Sequence, residues 1–406
     1  HGRQVKDNTM DSQDPIVILA ARRTPIGGFQ GALSSLASPK LGAAAIRAAV
    51  ADSGVPPDQI DEVYMGCCLM AGLGQAPARQ AALGAGLPES VGATTLTKMC
   101  GSGMKTVMLA HDLLKAESAQ FLVAGGMESM SNAPYLLPAE RKGQRLGHGR
   151  TLDHMFFDGL QDAYGGELMG HYAEQMVQEA GLTRADQDAY ALESVRRAQY
   201  AVDSGVFAYE ITPVEVAVKG QVTAVDVDET PGQCQPDKIP KLKAAFGAKG
   251  QEGTITAASS ASISDGAAAL VLTRASVAAQ AGYQPMARIV AHSTNASTPG
   301  RFPSAPIKAI ESVLTQSGWT TADVDLFEIN EAFAMVTMLA MRALNLPHDK
   351  VNVNGGACAL GHPIGATGAR ILVTLIHALK QRGGKRGVAS LCIGGGEATA
   401  MSIELS

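Results

Sequence analysis

Cys100 is a candidate nucleophile because of the turn in which it lies, Met99-Cys100-Gly101-Ser102-Gly103. Small and β-branched residues over 93–97 predict a strand before it, and apolar residues at helical spacing over 104–114 predict a helix after it. Backbone N–H groups at the start of a helix favour the thiolate, which is the reactive form of cysteine. The position therefore predicts a lowered pKa for Cys100. The alternative is a small buried cysteine that fills a gap in the core, which is the commoner role.

A histidine and five glycines lie together in the segment 354–368, NGGACALGHPIGATG. His362 lies in a loop before a predicted helix, and the adjacent Pro363 suits a first helical turn. Closely spaced glycines let the backbone approach a ligand. The segment lacks the GK[ST] of a P-loop and the spacing of a dinucleotide-binding fingerprint, which disfavours a nicotinamide oxidoreductase. His362 is therefore a candidate base facing an open site, with a structural histidine as the alternative.

Two further polar residues follow predicted strands. Cys392 ends a strand over 387–392 and precedes Gly394-Gly395-Gly396, which repeats the pattern at Cys100. Its alternative is a packed core cysteine. Asn330 follows a strand over 324–329 and could orient a water or donate to an oxyanion; its alternative is a helix N-cap. Open α/β sheets bind ligands at the carboxyl ends of their strands, so these residues are expected to share one edge.

Strands and helices alternate on both sides of a long middle segment. The predicted strands are 15–20, 62–67, 93–97, 121–124, 267–273, 287–293, 324–329, 351–354 and 387–392, and the predicted helices are 41–53, 104–114, 184–201, 304–317, 331–344 and 365–382. This alternation predicts an α/β fold with a mostly parallel sheet. The two halves share their order of elements, which indicates an internal repeat; two unrelated α/β domains are the alternative. The middle segment, 129–256, is richer in Pro, Gly and charge, and long excursions of this kind are usually functional.

Bulk composition narrows the class of protein. The chain has 406 residues and a net charge of -5, which argues against a nucleic-acid-binding surface. No apolar run approaches the length of a membrane span, and the polar residues 1–14 predict a disordered leader rather than a signal peptide. The six cysteines form no CxxC pair and no zinc pattern, so we expect reduced thiols and no metal site.

Taken together, four segments resemble the thiolase family. They are KMCGSGMK at 98–105, NEAFA at 330–334, the stretch 354–370, and CIGGG at 392–396. They occur in family order, and the resemblance covers about 15–404. It implies an α/β thiolase fold, in which two similar βα halves pack as a layered α-β-α-β-α core. The implied domains are an N-terminal thiolase domain at 15–280, with a CoA-binding loop domain inserted at about 129–256, and a C-terminal thiolase domain at 281–406.

The resemblance also implies a role for each candidate residue. Cys100 is similar to the nucleophile that takes the acyl group, and His362 to its activating base, which is also part of an oxyanion hole. Cys392 is similar to the base that removes a proton from the acetyl Cα. Asn330 is similar to the residue that holds an oxyanion-hole water. The backbone N–H groups of Cys100 and Gly394 resemble a second oxyanion hole.

By the same resemblance, nine residues are expected to contact the CoA thioester: Leu160, Met169, Lys243, Ala245, Phe246, Ala257, Ser260, Ala332 and Phe333. The chain departs from the family in two places. It reads Ser259-Ser260-Ala261-Ser262 where many members read Asn-Ala-Ser-Gly, and it has Leu168 where some members have histidine. These departures leave the acyl chain-length preference open.

The implied activity is acyl transfer: condensation of two acetyl-CoA to acetoacetyl-CoA plus CoA, and the reverse thiolysis. CoA thioesters are then substrates, and no cofactor and no metal are expected. One alternative is a 3-ketoacyl-CoA thiolase acting on longer chains. Another is a non-catalytic acyl-CoA or lipid carrier, which would need neither cysteine nor His362. Further expectations are a homodimer or homotetramer, no nucleic-acid or membrane partner, a cytoplasmic location and a role in fatty acid metabolism.

Overall fold

The computed structural model describes residues 14–218, 220–247 and 252–406. The strands are β1 (Ile16–Arg23), β2 (Gly27–Gly28), β3 (Glu62–Gly66), β4 (Gly92–Leu96), β5 (Phe121–Ser129), β6 (Tyr135–Leu136), β7 (Leu152–Asp153), β8 (Val214–Val218), β9 (Gln221–Val225), β10 (Ser264–Arg274), β11 (Ala287–Ala296), β12 (Leu326–Ile329), β13 (Arg386–Ile393) and β14 (Glu397–Leu405). The helices are α1 (Ser38–Ser53), α2 (Pro77–Gly84), α3 (Ser102–Lys115), α4 (Met169–Ala180), α5 (Arg184–Asp203), α6 (Glu229–Gln233), α7 (Ala275–Ala281), α8 (Ala305–Ser317), α9 (Ala334–Leu344), α10 (Ala357–Leu360) and α11 (Ile364–Arg382). The predicted leader, 1–14, lies outside the described residues except for Asp14.

One mixed sheet runs through the molecule in the order β4-β3-β5-β10-β1-β11-β14-β13-β12, with β2 paired to β10. Only β3/β4, β3/β5 and β12/β13 are parallel pairs, and the neighbours between them are antiparallel. The prediction of a mostly parallel sheet is therefore wrong. Strand β14 was not predicted; it follows β13 through Gly394-Gly395-Gly396, and so short a turn can join only antiparallel strands.

The internal repeat is confirmed by the order of elements. The first half runs β1-α1-β3-α2-β4-α3-β5-β10, and the second runs β11-α8-β12-α9, then 351–354, then α11-β13-β14. The segment 351–354 occupies the place of β4 but is not the strand that was predicted, since it makes only isolated bridges among the described residues, between Val351 and Phe327 and between Val353 and Gly355. Asn352 has a φ of 48°, and its side-chain amide bonds both the N–H and the C=O of Ile329, so the chain turns here.

Five layers form the core. Helices α3 and α11 pack against each other in the centre, between the two halves of the sheet. Helices α1 and α2 cover the outer face of the first half, and α8 and α9 cover that of the second. Within one strand the residues alternate between the layers: Leu270 and Leu272 of β10 face the centre, while Ala269 and Val271 face α1. This is the predicted α-β-α-β-α arrangement.

Glycines allow the two central helices to cross closely. A Cβ on Gly103 of α3 would lie 2.7 Å from the backbone nitrogen of Ala369, and one on Gly368 of α11 would lie 2.3 Å from that of Met104. Both contacts are shorter than side chains tolerate, so glycine is required at the crossing. The crossing lies within the first two turns of each helix, which brings the Cys100 turn and the His362 loop together.

The middle segment packs on the sheet without extending it. Its described residues from 130 to 263 form the small sheets β6/β7 and β8/β9 and the helices α4 to α6. The predicted helix over 184–201 is confirmed as α5. Buried Arg23 of β1 anchors the segment through ion pairs with Glu210 at 2.6 Å and Asp228 at 2.7 Å. The assignment of 129–256 as a separate inserted domain stays a prediction.

Among the described residues, none of the helices combines the length and the apolar character that crossing a membrane would require.

Candidate active site

A largely apolar cavity of about 240 Å³ opens where the Cys100 turn, the His362 loop and the β13–β14 turn meet. Cys100, His362, Cys392 and Gly394 all line it. The rest of its wall comes mainly from the middle segment and from the loops after β12 and before α8. The structure therefore brings together four residues that are up to 294 positions apart in the sequence.

The turn that presents Cys100 is held in a strained shape. Met99 has a φ of 46°, which is unfavourable for a residue with a side chain. The hydroxyl of Ser102 fixes the turn, since it accepts from the Lys98 N–H at 2.7 Å and donates to the Met99 carbonyl at 2.7 Å. A Cβ on Gly101 would lie 2.4 Å from the Ile393 side chain, so this turn packs directly on the end of β13. Lys98 also forms an ion pair with Glu397, just beyond the glycine turn.

Burial raises the pKa of Cys100 to about 11. The backbone N–H groups of Gly394 and of Cys100 itself act in the opposite direction, because they stabilise a thiolate at this sulfur. The prediction of a lowered pKa is therefore wrong for the free protein, since desolvation outweighs the N–H groups at the start of the helix. Burial also raises the pKa of Cys392, which is 1% exposed, and a charge on Cys100 would raise it further.

His362 is buried and neutral. Its Nδ1 bonds the hydroxyl of Thr367 at 2.6 Å, while its Nε2 is buried and has no partner among the described residues. Burial, with a smaller contribution from the charge of Arg370, lowers the pKa of His362 to about 3. Gly361 precedes it with a φ of 109°, and a Cβ there would lie 2.1 Å from the Ser264 hydroxyl. Only glycine fits this approach, which fixes where the imidazole lies.

A buried carboxylate, Glu128 at the end of β5, joins three parts of the site. It accepts from the N–H groups of Cys68 at 3.0 Å, Leu69 at 3.1 Å and Gly365 at 2.9 Å. Burial raises its pKa despite these three donors. Because Gly365 lies in the first turn of α11, Glu128 connects the start of that helix to the chain after β3.

A second buried carboxylate, Glu331, accepts four hydrogen bonds. Tyr190 and Asn352 donate to Oε1 at 2.8 and 3.0 Å, and Ser194 and the Cys358 N–H donate to Oε2 at 2.8 and 3.0 Å. These donors come from α5, the 351–354 segment and α10. Glu331 thereby fixes the loop between β12 and α9.

Asn330, the neighbour of Glu331, is 1% exposed, and its side-chain amide has no partner among the described residues. Its backbone N–H donates to the Ser390 carbonyl of β13 at 3.0 Å, so it lies at a strand end beside β13. Helix α9 begins at Ala334 rather than at Glu331, and Phe333 is its N-cap. Asn330 is therefore not an N-cap, and buried unpaired amides are rare enough to indicate a polar ligand.

Most of the predicted contact residues lie on the cavity. Leu160, Met169, Phe246, Ser260, Ala332 and Phe333 line it, although the Ser260 hydroxyl is already bonded to the Thr256 carbonyl at 2.8 Å. Lys243, Ala245 and Ala257 are exposed and do not line it. Asn330 does not line it either.

Eight apolar lining residues were not predicted to belong to the site: Phe156, Gly159, Leu168, Gly170, Ala261, Ile263, Phe302 and Ile364. Ile364 lies two residues after His362, so its place in the sequence could have suggested that it belongs to the site. Phe156 belongs to a π-helical turn, Met155–Leu160, and is 39% exposed. No sequence pattern distinguishes such residues from ordinary core.

The fold and this site define the class of protein: the chain belongs to the thiolase family. The family model for the thiolase N-terminal domain matches residues 16–276, and that for the C-terminal domain matches residues 283–405.

Individual relatives match almost end to end. The chain is 47% identical to acetyl-CoA acetyltransferase 2 of Arabidopsis thaliana over 98% of this chain and 99% of that protein. It is 44% identical to acetyl-CoA acetyltransferase of Pseudomonas aeruginosa over 96% and 98%. Among solved structures, Bacillus anthracis acetyl-CoA acetyltransferase has a TM-score of 0.94 at 40% identity, covering 97% of this chain and 99% of that one. Acat5 thiolase from Ascaris suum, solved in complex with coenzyme A, has a TM-score of 0.91 at 39% identity, covering 97% and 100%.

Proposed function

We propose that this chain is an acetyl-CoA C-acetyltransferase, which condenses two acetyl-CoA to acetoacetyl-CoA plus CoA and catalyses the reverse thiolysis. The observation that carries the proposal is the meeting of Cys100, His362, Cys392 and Gly394 in one apolar cavity. The relatives named acetyl-CoA acetyltransferase, at 44–47% identity over nearly the whole chain, favour this substrate over longer ketoacyl-CoAs. A non-catalytic acyl-CoA or lipid carrier would not need two thiols and a neutral imidazole in the same cavity.

The first half-reaction forms an acetyl-enzyme. His362 takes the proton of the Cys100 thiol, the sulfur attacks the thioester carbonyl, and the bond between that carbon and the CoA sulfur breaks. Because both thiols are neutral in the free protein, the leaving CoA thiolate takes its proton from Cys392. Cys392 is then a thiolate, and His362 is an imidazolium.

The second half-reaction restores these protons. The Cys392 thiolate removes a proton from the methyl group of a second acetyl-CoA, and the resulting carbanion attacks the acetyl carbon on Cys100. The Cys100 thiolate leaves and takes back the proton held by His362. The free protein has both thiols and a neutral imidazole at the start and at the end, so the cycle balances.

Each step develops a negative oxygen that must be stabilised. We assign one oxyanion site to the backbone N–H groups of Cys100 and Gly394, which already act on the Cys100 sulfur. The other consists of His362 Nε2 and a water held by Asn330, two buried groups with no partner among the described residues. A donor of this kind typically lowers a barrier by about 3 kcal/mol.

The CoA portion would lie along the wall formed by the middle segment. Leu160, Met169 and Phe246 contribute apolar surface there. We propose that exposed Lys243, Ala245 and Ala257 contact the nucleotide end outside the cavity, where the Lys243 charge suits a phosphate.

The decisive experiment follows both half-reactions in cysteine variants. With acetyl-CoA alone, wild type should carry an acetyl group on Cys100 by peptide mass spectrometry and should form acetoacetyl-CoA. Cys100→Ala should do neither, while Cys392→Ala should retain slow acetylation and lose condensation. Cys234→Ala, a thiol outside the cavity, is the matched control. Activity in Cys100→Ala would refute the mechanism, and thiolysis rates that rise with ketoacyl chain length would favour the 3-ketoacyl-CoA alternative.

We further propose a homodimer or a homotetramer built as a dimer of dimers. Strand β4 ends the sheet, so one of its backbone edges pairs with no other strand among the described residues and can pair with a second copy. Leu146 is 99% exposed and Leu137 55% exposed in the segment after β6, which suits a second contact. Light scattering coupled to size exclusion tests this; a monomer at micromolar concentration would refute it.

A cytoplasmic location and a role in fatty acid metabolism are also proposed. The six cysteines are unpaired, as a reducing compartment requires. Cell fractionation tests the location, and the change in acetoacetyl-CoA level after gene deletion tests the role.

A further inference from the structure

Two histidines and an aspartate form a cluster outside the catalytic cavity. His111 and Asp112 lie near the end of α3, and His292 lies on β11. Asp112 Oδ1 accepts from His111 Nδ1 at 2.9 Å and from His292 Nε2 at 2.9 Å. The three potential ligand atoms all lie within 4.8 Å of one another.

The two imidazoles are mostly buried, and the carboxylate between them is exposed. The His111 and His292 side chains are 15% and 18% exposed and pack edge to face with ring centroids 4.9 Å apart, while the Asp112 side chain is 58% exposed. Two packed imidazole rings beside an exposed carboxylate can close around an ion without repacking the core.

The positively charged side chains near the cluster do not prevent it from binding a cation. Lys115, one turn further along α3, acts electrostatically on His111 and donates to the Asp14 carbonyl at 3.2 Å. Arg288 of β11 lines the same surface groove, but its guanidinium is paired with Glu404. Asp112 is therefore the carboxylate through which the cluster would compensate the charge of an ion.

We propose that His111, Asp112 and His292 form a binding site for Zn²⁺. Two imidazole nitrogens and one carboxylate oxygen are a common zinc donor set, which leaves a fourth tetrahedral position for water. Each ring binds through the nitrogen that donates to Asp112 in the metal-free protein, so its proton moves to the other ring nitrogen.

The site ties the two halves of the fold together, since α3 belongs to the first half and β11 to the second. His111 lies nine residues beyond the start of α3, roughly 14 Å along the axis at 1.5 Å per residue, so zinc here is remote from Cys100. The expectation of no metal site rested on the spacing of the cysteines, whereas this cluster joins residues far apart in the sequence, since His292 follows Asp112 by 180 residues.

Isothermal titration with ZnCl₂ tests the proposal on the full chain, after iodoacetamide treatment to keep the thiols from competing. Wild type should bind one zinc per chain at this site and should melt at a higher temperature with zinc than with EDTA. His292→Ala and Asp112→Asn should each weaken binding by at least about 10–100-fold. His148→Ala, an exposed histidine outside the cluster, should bind as wild type does, and thiolysis by protein that has not been alkylated should be unchanged in all three variants.

Binding that is equally tight in wild type and His292→Ala would overturn the proposal, as would the absence of zinc binding by the alkylated wild type. Should His292→Ala fail to fold, Asp112→Asn decides alone, because its side chain is exposed and isosteric with aspartate. In that case, wild-type affinity in Asp112→Asn overturns the proposal, and the expected loss supports it.

Discussion

Replacing Glu331 with glutamine tests whether one buried carboxylate fixes the loop that carries Asn330. A glutamine amide keeps the shape but presents an NH₂ group in place of one oxygen. Whichever way the amide turns, one N–H donor, either that of Cys358 or that of Asn352, faces another donor. An orphaned buried donor costs about 1–3 kcal/mol, and the three remaining hydrogen bonds lose the strength that a charged acceptor gives them. Relief of the buried charge offsets part of this, so we expect a net loss of about 3 kcal/mol.

The size of the expected change in melting temperature follows from chain length. At about 2.1 cal/mol/K per residue, 406 residues give an unfolding entropy of roughly 850 cal/mol/K. A loss of 3 kcal/mol then lowers Tm by about 3–4 °C. Tyr190→Phe removes one donor and leaves the carboxylate three others, so it should lower Tm by only about 1 °C. Because the loop shifts, kcat for acetoacetyl-CoA thiolysis should fall about 10–100-fold in Glu331→Gln.

Thermal melts by circular dichroism at one protein concentration, paired with thiolysis kinetics, measure both effects. Glu311→Gln is the control, since it neutralises a surface carboxylate paired only with Lys308 and should change stability by no more than about 1 kcal/mol. A Glu331→Gln protein with the Tm and kcat of wild type would refute the reasoning. Loss of kcat without loss of Tm would mean that Glu331 acts on the chemistry rather than through the loop.

Three further predictions concern the core and its protonation. The rate of Cys100 alkylation by iodoacetamide should keep rising with pH towards about 11, because burial raises its pKa; a plateau below pH 8 would contradict this. Gly103→Ala should abolish activity or folding, because the added methyl group forces α3 away from α11. Gly232→Ala should behave as wild type, because a Cβ at that position has no atom within 4 Å. The pKa of Glu328 is raised to about 8 by burial, so its contribution to stability is complete below its unfolded value near 4.5 and is lost as the pH rises through 8. The Tm of Glu328→Gln relative to wild type should therefore be higher at pH 8.5 than at pH 5.5. An equal Tm difference at the two pH values would contradict a raised pKa for Glu328.

The elements around Cys100 show what the sequence can and cannot predict. Helix α3 and the strand before it were found because their periodicity is local, and the motif at Cys100 marks its position at a helix start. The predicted direction of the Cys100 pKa shift was wrong, because desolvation depends on apolar residues such as Met155 and Ile364 that only the tertiary fold brings near. The strand predicted over 351–354 does not form for a related reason. The chain turns at Asn352, and this turn is stabilised by hydrogen bonds to Ile329, more than twenty residues earlier.

The internal repeat explains why the proposed nucleophile and its proposed base meet. Cys100 lies directly before α3 and His362 lies just before α11, which are equivalent helices in the two halves. Because these helices cross at Gly103 and Gly368, the two equivalent positions become neighbours. The strand ends are equivalent too, but they have diverged. Cys392, one residue before the end of β13, reaches the cavity, whereas Glu128, one residue before the end of β5, accepts from backbone N–H groups of the first half and of α11. The second half therefore supplies Cys392, the proposed base that removes a proton from the acetyl Cα, and the first half supplies Glu128, which holds the backbone around the site. Two similar halves thus form a single cavity.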